Sequence, residues 1–280
     1  MSRPVLLAVA HGSAEPAAAV ALTALIDRVA TLAPQLTVEL GYVDHTPPSV
    51  MQSLSRLAAA GRPGAVIPLL LSAASHSKSD IPGAITAVRA AHPGASIGYG
   101  RPLGPHPLLL AALDRLLGEA GAGADTGIVL VAAGSADPDA NAEVAKTARL
   151  LWEWRGGGGA VEAAYASATR PTVADAVVRL RRLGYEDVAL APYFLAPGRL
   201  PPAGGSAGVR VAGLLGDTDE VARLVLERYA EAVTGDLRMN CDVCRYRAPW
   251  PGRTAVAGTP QRPHRHPADQ SAAGRMSGGL

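Results

Sequence analysis

Two histidines, His11 and His76, each stand just beyond an apolar run, in LLAVAHGS and in PLLLSAASHSKSDIP. A short apolar run that ends in such a loop reads as a buried strand, and in open parallel sheets ligands gather outside the carboxyl ends of the strands. Imidazoles from two adjacent strand ends can bind one divalent metal while leaving coordination positions open, as a catalytic rather than a structural site requires. Asp44, after another strand-like run, adds a carboxylate able to accept or relay protons. Arg101 and His106 follow a fourth run and face the same edge. A lone loop histidine is more often satisfied by backbone hydrogen bonds, so the weight falls on the co-location of His11 and His76. His45, His92 and His106, each in a loop beside proline or threonine, read as ordinary solvated histidines.

The elements that must position these residues alternate. Strand-like runs at 5–9, 37–43, 65–71 and 96–100 are separated and followed by helical patterns at 17–32, 48–60, 80–91 and 107–119. Strands alternating with helices of this length predict an α/β fold with mainly parallel sheets and right-handed crossovers. The pattern then repeats. VELGYVDHTPPSV from Val38 aligns with VEAAYASATRPTV from Val161, and LLAVAHGSAEPAAA from Leu6 recurs as VLVAAGSADPDANA from Val129. Self-similarity on this scale marks a duplicated unit. The expected architecture is two tandem doubly wound domains, 1–120 and 127–235, joined by a Gly/Ala-rich linker at 118–127 and facing each other across a cleft. The second copy is degenerate: Ala133 replaces His11, Ala168 replaces His45, and APGRLPP replaces the segment that holds His76.

Composition narrows the function classes. A chain of 280 residues with 48% hydrophobic but only 4% aromatic residues must build its cores from Ala, Val and Leu, which favours helices packed on sheets. The net charge of +2 is too small and dispersed for a nucleic-acid footprint. No apolar stretch approaches the ~18 residues of a transmembrane helix. The run at 5–10 imitates a signal peptide, but 128–133 has the same character in mid-chain, so both read as first strands and a cytoplasmic protein is expected. Neither a Walker A sequence nor a credible nucleophile elbow is present: Gly204–Gly208 fits G-x-S-x-G but follows Pro201 and Pro202 rather than a strand.

HGS at 11–13, YVD…PS at 42–49, PLLLSAASHSKSDIP at 68–82 and GRPLGPHP at 100–107 together resemble the sirohydrochlorin chelatase family, the class II chelatases that include CbiX-like and SirB-like enzymes. The resemblance covers residues 3 to about 235. It implies a chelatase-like fold and a lyase that inserts Co²⁺ or Fe²⁺ into sirohydrochlorin, an early cyclic tetrapyrrole, without ATP, on the way to cobalamin or siroheme. By motif position His11 and His76 are the paired metal-binding and proton-accepting histidines. Asp44 stands where the family usually carries glutamate, one methylene longer, and Ser75 where it usually carries glycine. Two pyrrole N–H protons must leave as the metal enters, and neutral imidazoles, with an ordinary pKa of ~6.5, can both hold the cation and accept protons. The substrate's carboxylates call for donors, for which Ser13, Lys78 and Arg101 are candidates. A non-enzymatic metal or tetrapyrrole carrier is the competing class.

Residues 236–280 differ in kind, being rich in Pro, Gly, Arg and His without periodicity, and are expected to be largely disordered. They contain Met239, Cys241 and Cys244 as M-x-C-x-x-C, a pattern that accompanies an iron–sulfur cluster in some longer members of the family. One C-x-x-C supplies two thiolates where such a cluster takes four, so a cluster implies a homodimer. The alternatives are zinc completed by His264 and His266, a redox dithiol, or a vestige. The chemistry is assigned to the first copy, so deletion of residues 239–280 is expected to leave metal insertion in place. A folded 1–238 fragment without turnover in an anaerobic absorbance assay would contradict this.

Overall fold

The computed structural model describes residues 3–198 and 209–235. In the first half, β1 (Val5–Ala10), β2 (Val38–Tyr42), β3 (Gly64–Pro68) and β4 (Ile97–Tyr99) form a parallel sheet in the order β2-β1-β3-β4. β1 is buried along its whole length and pairs on one side with β2, Ala10 opposite Tyr42, and on the other with β3, Val9 opposite Pro68. One further bond, from the Leu69 amide to the Val9 carbonyl at 2.7 Å, closes the pairing beyond Pro68. Helix α1 (Pro16–Leu32) buries Leu22, Leu25, Ile26 and Val29 at helical spacing. Helices α2 (Val50–Ala59) and α3 (Ile81–Ala91) form a separate core cluster with one face of the sheet, through Leu54, Leu57, Ile81, Ile85 and Val88. Burying each such aliphatic side chain contributes about 1.5–3 kcal/mol. Ser49 starts α2 with a capping box: its hydroxyl accepts from the Gln52 amide and the Gln52 side chain accepts from the Ser49 amide, both at 3.0 Å.

The second half repeats this plan. Strands β5 (Gly127–Ala132), β6 (Val161–Tyr165), β7 (Val188–Pro192) and β8 (Arg210–Val211) form a parallel sheet in the order β6-β5-β7-β8, with α5 (Pro138–Trp154) and α6 (Val173–Arg182) as its crossovers. The last strand is two residues long and is followed, after 212–214, by a 3₁₀ turn at Leu215–Asp217.

The expected boundary at 118–127 separates the two sequence repeats but not the two compact units. One unit contains residues 3–103 with 222–235, and the other contains 104–198 with 209–221. The closing helix of the first repeat, α4 (Pro107–Glu119), thus belongs with the second sheet, and α7 (Asp219–Thr234), beyond its first residues, belongs with the first. The reason is polar as well as apolar. Arg228 on α7 is fully buried and donates to the carbonyls of Pro102 at 2.9 Å and Leu103 at 2.7 Å. Glycine on β4 lets α7 approach, since a β-carbon on Gly98 would lie 3.3 Å from the Ala232 carbonyl oxygen. In the other unit Arg115 on α4 holds Glu220 through two 3.0 Å bonds.

At the carboxyl edge of the first sheet, the loop after β1 runs against the loop after β2. Gly12 has φ +93°, and a β-carbon there would stand 1.9 Å from the carbonyl oxygen of Asp44. Gly12→Ala is therefore expected to lower stability by ~2–4 kcal/mol, combining left-handed strain with a backbone clash. Gly61, at φ +62° with open space around it, isolates the strain, and Gly61→Ala should cost only ~1–2 kcal/mol. Urea unfolding of the two variants checks the difference.

Candidate functional site

Each group of the site comes from a different strand end of the first unit. His11 follows β1, Asp44 and His45 follow β2, and His76 opens a π-helical turn, His76–Asp80, that leads into α3 after β3. The sequence pattern suggests a plain helix from residue 80, whereas the chain begins winding at His76 with one extra residue per turn. The amide of Ile81 donates to the His76 carbonyl, five residues back. Such π turns are uncommon and frequently mark functional positions.

The two sequence-selected histidines meet. The rings of His11 and His76 lie 4.5 Å apart between centroids and at 85° to one another. Nδ1 of His11 is 2.9 Å from the Gly12 carbonyl oxygen, and a carbonyl only accepts, so Nδ1 carries the proton there. Nδ1 of His76 is 2.5 Å from a carboxylate oxygen of Asp80. In both rings Nδ1 is occupied by an acceptor, which leaves Nε2 as the nitrogen able to bind a metal or take a proton. Although one side of His11 is exposed, the protein around the ring lowers its pKa below 6.5 chiefly by desolvation, with the neighbouring His76 pushing the same way. The Gly12 carbonyl and Asp44 oppose the shift.

Asp44 is held by the same loop contact that requires Gly12. Its amide donates to the His11 carbonyl at 2.8 Å. Its carboxylate accepts from the His45 amide at 2.7 Å and lies 3.4 Å from His45 Nε2. His45, which reads as an ordinary loop residue in the sequence, sits in left-handed backbone at φ 56° with its ring 6.2 Å from that of His11. It belongs to the site's surroundings. His106 fits its ordinary reading, since Nδ1 accepts from the Leu108 amide at 3.2 Å and caps α4.

The candidates for substrate carboxylates fare differently. The Ser13 hydroxyl accepts from the Glu15 amide at 3.0 Å and keeps a proton to donate. Lys78, expected as either a substrate donor or a solvated surface charge, is 3% exposed inside the π turn. Arg101 departs furthest from expectation. Its guanidinium holds both oxygens of Glu231 on α7, at 2.8 and 2.7 Å. Glu231 also accepts from Arg228 at 2.9 Å, and these contacts, Arg101 first, hold its pKa below the ordinary carboxylate value. Arg101 thus ties the strand-four loop to α7.

Asp80 was not singled out by the sequence reasoning. The available signal was the spacing of four between His76 and Asp80, which brings i and i+4 side chains together on one face of a helix. Among the described residues, no group of three or more His, Cys, Asp or Glu side chains is arranged to hold a metal ion. A cation held between His11 and His76 would draw its remaining ligands from solvent or substrate. Cys241, Cys244, His264 and His266 lie outside the described residues.

A pair of imidazoles at the carboxyl edge of a four-stranded parallel sheet, in a chain that repeats the sheet without the pair, defines a tandem α/β protein with a candidate site in one repeat. The chain belongs to the CbiX family, matched over residues 5–120 and 127–232. It is 32% identical to a sirohydrochlorin cobaltochelatase of Priestia megaterium over 229 residues, 76% of this chain and 74% of the relative. It is 28% identical to a sirohydrochlorin ferrochelatase of the same organism over 198 residues, 70% of this chain and 74% of that one. Among solved structures, SirB from Bacillus subtilis with Fe³⁺ superposes with a TM-score of 0.71 at 24% identity, over 84% of this chain and 97% of that one. CbiX of denitrifying bacteria gives 0.60 at 22% identity, over 84% and 100%. These two likenesses establish the shared fold. Among the described residues no helix is long and apolar enough to cross a membrane.

The lowered pKa of His11 has a testable sign. Below 6.5 the ring resists protonation longer than a free imidazole, so it is neutral at pH 7 and its titration is displaced toward acid. An NMR titration of the His11 ring should show a midpoint below 6.5, and His76→Ala should move it upward by removing the neighbouring imidazole that disfavours the charged form of His11. A midpoint at or above 6.5 in the wild type would contradict the geometry.

Proposed function

We propose that this chain inserts Co²⁺ or Fe²⁺ into sirohydrochlorin, with His11 and His76 as the groups that hold the metal substrate and receive pyrrole protons. The observation that carries the proposal is the meeting of the two rings with both Nδ1 atoms occupied. That leaves two Nε2 lone pairs on rings whose centroids are 4.5 Å apart. As the metal enters, each N–H bond of the macrocycle that breaks leaves its electron pair on the pyrrole nitrogen, which bonds the metal. The proton passes to an imidazole and from there to solvent. Neutral rings are required at the start, and the acid-displaced titration of His11 supplies one at neutral pH.

Asp44 is assigned a supporting role, accepting or relaying protons beside His11. Ser13 remains the best-placed donor to a substrate carboxylate among the three considered, because Lys78 is buried in its turn and Arg101 is committed to Glu231. The names of the relatives, a cobaltochelatase and a ferrochelatase, support both metals. The cytoplasmic setting, the homodimer and a cluster bridging Cys241 and Cys244 of two chains belong to this reading as proposals. None is needed for the insertion step.

Anaerobic incubation of the protein with sirohydrochlorin and Co²⁺ or Fe²⁺, followed by absorbance, tests the reaction. The His11→Ala, His76→Ala double variant is expected to lose at least ~10²-fold in rate, the usual scale for removing positioned acid–base groups. Equal rates in the wild type and the double variant would remove these histidines from the mechanism. Stoichiometric metal binding without turnover would identify a carrier instead.

A further inference from the structure

His76 has a carboxylate directly on its Nδ1 at hydrogen-bond distance, and the surroundings of that carboxylate are built. Asp80 is 6% exposed, while the His76 side chain remains 27% exposed. The turn between them is pinned from several sides. The Tyr99 hydroxyl on β4 donates to the Ser77 carbonyl at 2.5 Å, and the Ser77 hydroxyl donates to the Ala74 carbonyl at 2.9 Å. The Ser79 hydroxyl donates to the Ser75 carbonyl at 2.9 Å and lies 3.3 Å from the other oxygen of Asp80.

Asp80 also stands where an aspartate would ordinarily cap a helix by accepting amide protons of the first turn. It makes no such side-chain cap on α3, and Pro82, in that first turn, has no N–H to offer. The carboxylate is instead given to His76. A carboxylate on one ring nitrogen fixes the tautomer, raises the basicity of the other nitrogen and orients the ring for a metal. Histidine in the alternative tautomer would carry a proton on Nε2 and could neither ligate nor accept at that atom.

We propose that Asp80 is a positioning residue for the metal substrate: it holds His76 in the Nδ1–H form and fixes its ring so that Nε2 is presented as a lone pair beside His11. The two residues bound the turn that leads into α3, four positions apart, so their side chains share one face. The proposal rests on His76 being a metal ligand and goes beyond it by assigning the residue that makes it one.

Long-range ¹H–¹⁵N correlation spectra of the full chain at neutral pH read the tautomer directly, and Co²⁺ titration followed through the His76 ring signals reads affinity at that ring alone. The wild type is expected to show His76 as the single Nδ1–H tautomer. Asp80→Asn and Asp80→Ala should lose that single form and weaken Co²⁺ binding at His76 by about 10- to 100-fold, with the backbone amide spectrum confirming that the variants fold. A wild-type ring in the Nε2–H form overturns the proposal whether or not the variants fold. So do folded variants that keep the wild-type tautomer and Co²⁺ affinity, the result expected if Asp80 served only stability. Both measurements are made without sirohydrochlorin. A wild type that binds Co²⁺ at His76 but inserts none would sink the insertion reaction, leaving the Asp80 assignment to be decided by the tautomer.

Discussion

The pairing of β1 with strands on both of its sides is the constraint from which the site follows. β1 is inaccessible to solvent along nearly its whole length and parallel to both β2 and β3, so three loops leave the sheet at one edge, the outer two each one strand spacing from the central one. Neighbouring strands lie about 4.8 Å apart, which is the scale of the 4.5 Å separation between the His11 and His76 rings. Parallel pairing requires crossover helices, so residues far apart in sequence become neighbours only once both crossovers have formed. A central strand displaced by one residue would turn every side chain of β1 to the opposite face.

The second repeat shows which features of this edge belong to the fold and which to the chemistry. Gly134, at φ +84°, repeats Gly12, and a β-carbon on it would meet the Ser167 carbonyl at 2.0 Å. The Ser167 amide donates to the Ala133 carbonyl at 2.9 Å, as that of Asp44 does to His11. Ala168 takes the left-handed backbone of His45, at φ 61°, and Thr172 repeats the capping box of Ser49. The hydrogen-bonded path of the loops has thus been retained while the imidazole and carboxylate were exchanged for methyl and hydroxyl groups. The loop path is common to both copies, and the paired imidazoles stand in one of them.

Charge is distributed by the same logic. At the site, the two rings satisfy Nδ1 locally, one with a backbone carbonyl and one with a carboxylate, and keep Nε2 for chemistry. Away from it, Arg101, Arg228 and Glu231 form a partly buried ionic group that fastens α7 to the loop after β4. Burial lowers the pKa of Arg228 through desolvation, opposed by Glu231. Removing one partner from such a group leaves another charge poorly compensated in a low-dielectric setting. An arginine at a strand end therefore has two very different uses, and its neighbours on a distant helix decide between them.

The alternation of apolar runs and helical periods determined the α/β class, the parallel sheets, the duplication and the pairing of His11 with His76. Those signals are local or self-similar, and strand-end positions in a parallel sheet follow from connectivity alone. The sequence left open what depends on packing between distant segments. The exchange of α4 and α7 between compact units, the commitment of Arg101 to Glu231 and the burial of Lys78 each arise from partners not specified by nearby periodicity. Asp80 lies between these cases. Its spacing from His76 was visible, but which partner its carboxylate takes was not. The chain winds from His76 itself, with Tyr99 of a neighbouring strand holding the turn, and the carboxylate meets the imidazole instead of capping α3.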